Sequence, residues 1–92
     1  MINKTYSVEY TEQARKALKK MDRQASKLIT AWIERKLINC KNPRLYGKSL
    51  TGNRSGQWRY RVGKYRLLAD IQDDRIVILI IEIGHRKDIY DN

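Results

Sequence analysis

From Trp58 to Ile71 the chain alternates with the period of a β-strand. Trp58, Tyr60 and Val62 fall on one parity, and Arg59 and Arg61 on the other. Val62-Gly63-Lys64 reads as a bend or tight turn. A second run then places Tyr65, Leu67, Ala69 and Ile71 on one parity and Arg66 on the other. Side chains of a strand point alternately to opposite faces, so the apolar set can pack while the guanidinium groups stand away from it. Two neighbouring strands of this kind bring three arginines to one sheet face. Such a cluster repels itself in a folded protein unless an anion visits it. Arg59, Arg61 and Arg66 are therefore the first candidates for function.

The overall charge points the same way. The formal net charge is +10 and the pI is near 10.0, which favours a polyanionic partner: nucleic acid, an anionic membrane or an acidic protein. No acidic residue lies between Glu34 and Asp70. That interval holds ten basic ones: Arg35, Lys36, Lys41, Arg44, Lys48, Arg54, Arg59, Arg61, Lys64 and Arg66. A single lysine is ordinarily solvated surface, but an acid-free interval of this length suits phosphate contact. Arg59, Lys48, Arg54 and Lys64 are the expected RNA- or phosphate-holding residues. A membrane partner fits poorly, because the basic residues spread over helix, loop and strands rather than along one amphipathic helix.

The 92 residues suit a single domain, 1–92, with a modest core. Cys40 is the only cysteine, so no intrachain disulfide can form, and a reducing, cytoplasmic location is expected. Met1–Val8 is polar and lacks the apolar core of a secretory signal. The longest apolar run, Ile76–Ile81, is too short to span a bilayer.

Along the chain, Thr5–Tyr10 alternates as a half-buried strand. Thr11 suits a helix N-cap, and Ala14, Ala17, Leu18 and Met21 follow at helical spacing. Asp22 is a plausible cap for a second helix, about Arg23 to Asn39, with Ala25, Leu28, Ile29, Trp32, Ile33 and Leu37 as its apolar stripe. Asn42-Pro43 marks a stop. Arg44–Gly56 is polar and glycine-bearing, a loop anchored by Leu45, Tyr46 and Leu50. The two arginine-bearing strands come next, followed by a turn at Gln72-Asp73-Asp74. Arg75–Ile83 is apolar on both parities, as in a central strand covered on both faces. Glu82 interrupts it and needs a cationic partner, for which the arginines of the neighbouring strands are available. The expected fold is α+β: a small antiparallel sheet of about four strands with an N-terminal helical hairpin on one face, in the order β-α-α-β-β-β.

One histidine and one cysteine fall short of a metal-ligand set, and the glycines have neither of the phosphate-cradling spacings. No metal or other cofactor is expected. What remains is Arg59, Arg61, Arg66, Arg86, His85 and Tyr90, the makings of a metal-free phosphate site. RNA brings its own nucleophile in the 2′-OH. The protein must align it with phosphorus, stabilise the dianionic transition state and help the 5′-oxygen leave. Arginines do the second job through forked hydrogen bonds but exchange protons poorly, so His85 or Tyr90 suits acid–base work better. Tyr90 can instead stack on an unpaired base.

Trp58–Leu68 and Ile83–Tyr90, in this order of elements, resemble the RelE toxins of the RelE/ParE superfamily. The resemblance covers essentially the whole chain. It implies a type II toxin–antitoxin toxin that enters the 30S ribosomal A site, cuts mRNA there without metal or small-molecule cofactor, and is held inactive by a cognate RelB-like antitoxin. By position it implies that Arg66 stabilises the scissile phosphate, that Arg86 serves the leaving-group side, and that Tyr90 stacks on the substrate base. Arg59 and Arg61 stand where the best-known member has lysines, which makes a proton-transfer role there less apt. His85 replaces a lysine and can take over part of the proton transfer. Two rivals are a ParE-type toxin that poisons DNA gyrase and a non-catalytic nucleic-acid-binding module.

Overall fold

The structure, a computed structural model, describes residues 4–85. Strand β1 is Ser7–Tyr10, helix α1 Glu12–Lys20 and helix α2 Arg23–Lys36. Strands β2 (Lys48–Ser49), β3 (Trp58–Val62), β4 (Tyr65–Gln72) and β5 (Val77–His85) follow, with a short 3-10 turn at Gly52–Arg54 between β2 and β3. The strands form one sheet in the order β1-β5-β4-β3-β2, with both helices on one face.

Both expected caps start their helices. The Thr11 hydroxyl accepts from the Ala14 amide at 3.1 Å, and the Asp22 carboxylate from the Ala25 amide at 2.8 Å. Each bond satisfies a donor that the first helical turn leaves bare. Helix α2 ends at Lys36, earlier than Asn39 and well before Pro43. Asn39 takes a left-handed conformation (φ 64°), and the chain then lies against Tyr6. The Asn39 amide donates to the Tyr6 carbonyl and the Tyr6 amide to that of Cys40, both at 2.9 Å.

The expected α+β architecture folds, with two differences in the sheet. It has five strands rather than about four, and it is mixed, because β1 runs parallel to β5 while every other pair is antiparallel. Strand β2 is only two exposed residues inside a polar loop, too short to show a period. The direction of β1 beside β5 is set by the crossover, which alternation does not encode.

The core lies between helices and sheet. Ala14, Ile29, Ile33 and Leu37 pack on Tyr60, Val62, Leu67, Ala69, Ile78, Ile80 and Ile83. The apolar parity of β3 and β4 thus faces the helices, as the alternation requires. Strand β5 achieves the same burial by another route. Its register with β4 runs Leu67↔Ile83 and Leu68↔Glu82, then shifts to Ala69↔Ile80. Ile81 is the extra residue of a β-bulge, so inward positions are odd on one side of it and even on the other. The bulge accounts for part of the apolar character on both parities; Val77, buried, and Leu79, half-buried, lie on the other face, as expected of a central strand. Thr11 clasps the bulge: its amide donates to the Ile80 carbonyl at 3.0 Å and its hydroxyl to that of Ile81 at 2.6 Å.

Strand β5 begins at Val77 rather than Arg75, because Asp73–Ile76 completes the turn and Ile76 sits at φ 56°. Asp73 also ties three segments together. Its carboxylate accepts from both Arg44 Nη atoms at 3.1 and 2.9 Å and from the Tyr6 hydroxyl at 2.6 Å. Arg44 first, and then Tyr6, holds the Asp73 carboxyl below the usual carboxylate range.

Candidate functional site

Strands β3 and β4 are joined by a two-residue turn, Gly63-Lys64, in which Gly63 alone has positive φ (60°). Glycine at the first central position suits the primed turns whose twist matches paired strands. This turn fixes the register Arg61↔Arg66, Tyr60↔Leu67 and Arg59↔Leu68. Arg59, Arg61 and Arg66 therefore share the face turned away from the helices, with Arg61 and Arg66 directly opposed. Across β4, Gly84 stands opposite Arg66. Arg66 is thus flanked by a guanidinium on one side and by bare backbone on the other.

The three arginines differ in depth. Arg61 is exposed, Arg66 half-buried, and Arg59 only 7% exposed. Burial first, and then the charges of Arg61 and Arg66, lowers the pKa of Arg59. Lys48 lies across the β2–β3 pair from Arg59 and is exposed. Beside the arginines, Leu50 from the loop covers Leu68, both nearly inaccessible. Glu82, opposite Leu68, meets Arg54 of the 3-10 turn at 3.5 Å. Glu82 thus has an ion-pair partner in the loop folded over this face. Arg54 serves that carboxylate, and Lys64 sits exposed in the β3–β4 turn at the end of the face.

His85 does not join the arginines. It pairs with Tyr65 on the helix-facing parity, and its ring meets Tyr65 edge-on with centroids 5.8 Å apart. Arg86 and Tyr90 lie outside the described residues. Among the described residues, no group of three or more His, Cys, Asp or Glu side chains is placed to hold a metal ion, and no helix is long and apolar enough to cross a membrane.

The loop before β2 is held to β3 by two short bonds. The buried Tyr60 hydroxyl donates to the Pro43 carbonyl, and Trp58 Nε1 to that of Tyr46, both at 2.6 Å. Gly47 then passes so close to β3, at φ 84°, that a Cβ there would collide with the Arg59 carbonyl and the Trp58 indole nitrogen. Of the loop's expected anchors, Leu50 is buried and Tyr46 packs on the core, whereas Leu45 is exposed. Where the loop leaves the β3 edge, an open groove of about 370 Å3 forms between Trp32, Tyr46, Gly47, Lys48, Arg59 and Arg61. From the sequence, Trp32 could serve as a stacking platform, but its place in the apolar stripe favours core packing, and Tyr46 reads as a loop anchor.

The chain resembles known proteins over nearly its whole length. A family model described as the ParE toxin of the type II toxin–antitoxin system parDE matches residues 8–90. Toxin RelG of Mycobacterium tuberculosis is 33% identical over 86 residues, which span 92% of this chain and 95% of that protein. The toxin–antitoxin complex RelBE2 of the same organism has a chain that superposes with a TM-score of 0.76 at 28% identity, covering 91% of this chain and 94% of that one. The isolated Escherichia coli RelE toxin shares the fold, with a TM-score of 0.60 at 22% identity over 87% and 83% of the two chains. Fold and family model together define a toxin of a type II toxin–antitoxin system. The chain belongs to the RelE/ParE toxin superfamily and is of the RelE type.

Proposed function

We propose that this toxin is an endoribonuclease that cuts mRNA in the ribosomal A site and so arrests translation. The observation that carries this reading is the register that sets Arg61 against Arg66 with Arg59 buried beside them. A phosphodiester on this face meets side chains placed by the strand register, with Arg59 and Arg66 partly dehydrated, so the protein reorganises little there as charge grows on the phosphorus oxygens. The 2′-oxygen attacks phosphorus, a P–O2′ bond forms and the P–O5′ bond breaks. One proton leaves the 2′-hydroxyl and one reaches the departing 5′-oxygen, giving a 2′,3′-cyclic phosphate and a 5′-hydroxyl end.

In this scheme Arg61 and Arg66 stabilise the dianionic phosphorane, and Arg59 and Lys48 hold adjoining phosphate. Arg86 serves the leaving-group side and Tyr90 stacks on the base, which needs only its ring. His85 shares in proton transfer if the substrate reaches round the end of β5. A cognate antitoxin restrains the toxin; the similar proteins from M. tuberculosis and Pyrococcus horikoshii were solved as complexes of that kind. The parDE description of the family model favours a second reading, a gyrase-poisoning toxin.

One experiment separates the two. The toxin is induced in cells, and mRNA 5′ ends are mapped during translation. New ends within translated codons, lost in Arg66→Ala and Arg61→Ala with a drop of ~100-fold or more in rate at equal soluble protein, support the RNA-cutting reading. Intact mRNA with DNA-damage signalling supports the gyrase reading instead.

A further inference from the structure

The groove at the β3 edge has a composition that the arginine face alone does not explain. Strand β2 pairs only with Trp58 and Arg59, so β3 has an open edge from Tyr60 onward. The groove leads from Arg61 and Lys48 round that edge to Trp32 and Tyr46. Its lining holds three cations, two aromatic rings and no carboxylate. Both rings are held. Trp32 meets Tyr46 edge-on at 6.1 Å and lies tilted on the buried Tyr60 at 5.6 Å. The Lys36 ammonium sits 5.1 Å above the centre of the Tyr46 ring. Both rings nonetheless remain half-exposed.

Packed aromatics beside exposed cations match the two parts of a nucleotide: a flat base for the rings and a phosphate for Arg61 and Lys48. An acidic peptide would use the cations and leave the ring pair without a purpose. A duplex would keep its bases stacked on each other and unavailable to the groove.

We infer that this groove is a subsite for one unpaired nucleotide of single-stranded RNA flanking the cut phosphate, with its base against Trp32 and Tyr46 and its phosphate between Lys48 and Arg61. The inference rests on the RNA-cutting reading for its choice of polymer, but binding tests it without cleavage. Trp32 and Tyr46 are then specificity-determining residues, and the chain reads RNA beyond the phosphate it cuts.

The probe is a single-stranded RNA of about six nucleotides, 2′-O-methylated throughout so that no nucleophile remains, with a single abasic position moved along it. Binding to the free toxin is followed by fluorescence anisotropy. Removing one particular flanking base should weaken binding about 5- to 150-fold, the range for one base stacked on an aromatic ring. Trp32→Leu should lose a similar factor with the intact RNA and nothing more with that abasic RNA, so the two changes are coupled rather than additive. Because Trp32 also packs on Tyr60, Lys48→Ala serves as a second variant at an exposed site. It should flatten the salt dependence of RNA binding by about one phosphate contact.

Additive losses, equal affinity for an RNA duplex, or no binding of the probe would each overturn the subsite. So would an acidic peptide whose binding couples to Trp32 while RNA binding does not. If cleavage persists without this coupling, the subsite falls alone. If the coupling appears in a protein that cuts no mRNA, the catalytic reading falls and the subsite stands.

Discussion

Arg61→Gln should make the protein more stable while disabling it. Arg61 and Arg66 are directly opposed in the β3–β4 pair, and like charges at such positions cost ~0.2–1 kcal/mol. Arg61 also acts on Arg59, which burial and its two arginine neighbours already disfavour in the charged form. Glutamine keeps the length and polarity of the side chain and removes both repulsions. The expected gain is about 1 kcal/mol, which for a domain of this size raises Tm by roughly 4–8 °C. Because the effect is electrostatic, it should shrink by more than half in about 1 M salt, where the screening length falls to ~3 Å. Thermal melts of both proteins at about 20 mM and about 1 M NaCl measure this, with mRNA cleavage followed in parallel. Inorganic polyphosphate should stabilise the parent more than the variant, since folding gathers Arg59, Arg61 and Arg66 into one face that the variant lacks in part. A variant that melts below the parent at low salt would refute the reasoning. So would a gain of the same size at both salt concentrations.

Two further outcomes follow from the loop and turn attachments. Tyr60→Phe leaves the buried Pro43 carbonyl without its donor; a loss of ~1–2 kcal/mol, read as a lower urea midpoint, is expected, and an unchanged midpoint would show that the bond contributes nothing net. Asp73→Asn tests the tie to Arg44 and Tyr6: the folded-state pKa of Asp73 is depressed, so its contribution is fully present above the ordinary carboxylate pKa of ~3.9 and fades as pH falls through the depressed value. Parent and variant should differ most above about pH 5 and draw together as pH falls through the depressed value, and a gap in urea midpoints that stays constant with falling pH would count against the tie.

The sequence made some parts of this molecule legible and hid others for physical reasons. Thr11 and Asp22 announce their helices because a cap is a local bond between residues three apart in the chain. The arginine face follows from a period of two, which puts Tyr60, Val62, Leu67 and Ala69 in the core between sheet and helices; burial itself does not repeat that period, because the loop also covers Leu68, and Arg59 is buried on the same face. Strand β2 was not legible, since two residues carry no period. The partner of Glu82 was not legible either, because Arg54 reaches it through a loop whose path depends on Leu50 settling over Leu68. The groove beside Arg61 was hidden for a related reason. Trp32 and Tyr46 come from different elements, and the bend at Gly47 that joins them is a feature of three-dimensional packing. His85 shows the limit of counting parity from a strand end: its placement depends on where the bulge falls.

That bulge has a consequence for how such chains diversify. Strand β5 behaves as two half-strands set one residue out of phase, and Thr11 locks the phase from the start of α1. The half ending at Ile80 keeps its alternation independently of the half that carries Glu82, Gly84 and His85. Losing Ile81 would therefore iron out the bulge and leave both halves facing as they do, whereas one further residue inserted in β5 and not taken up by a second bulge would turn one half over, presenting Ile83 where Glu82 and Gly84 now border Arg66 and driving a carboxylate into the core. When relatives are aligned, a one-residue gap at Ile81 marks a strand without the bulge and with both faces kept, an extra residue there marks the exchange of a face, and gaps of several residues between Pro43 and Gly56 can leave the arginine face in register.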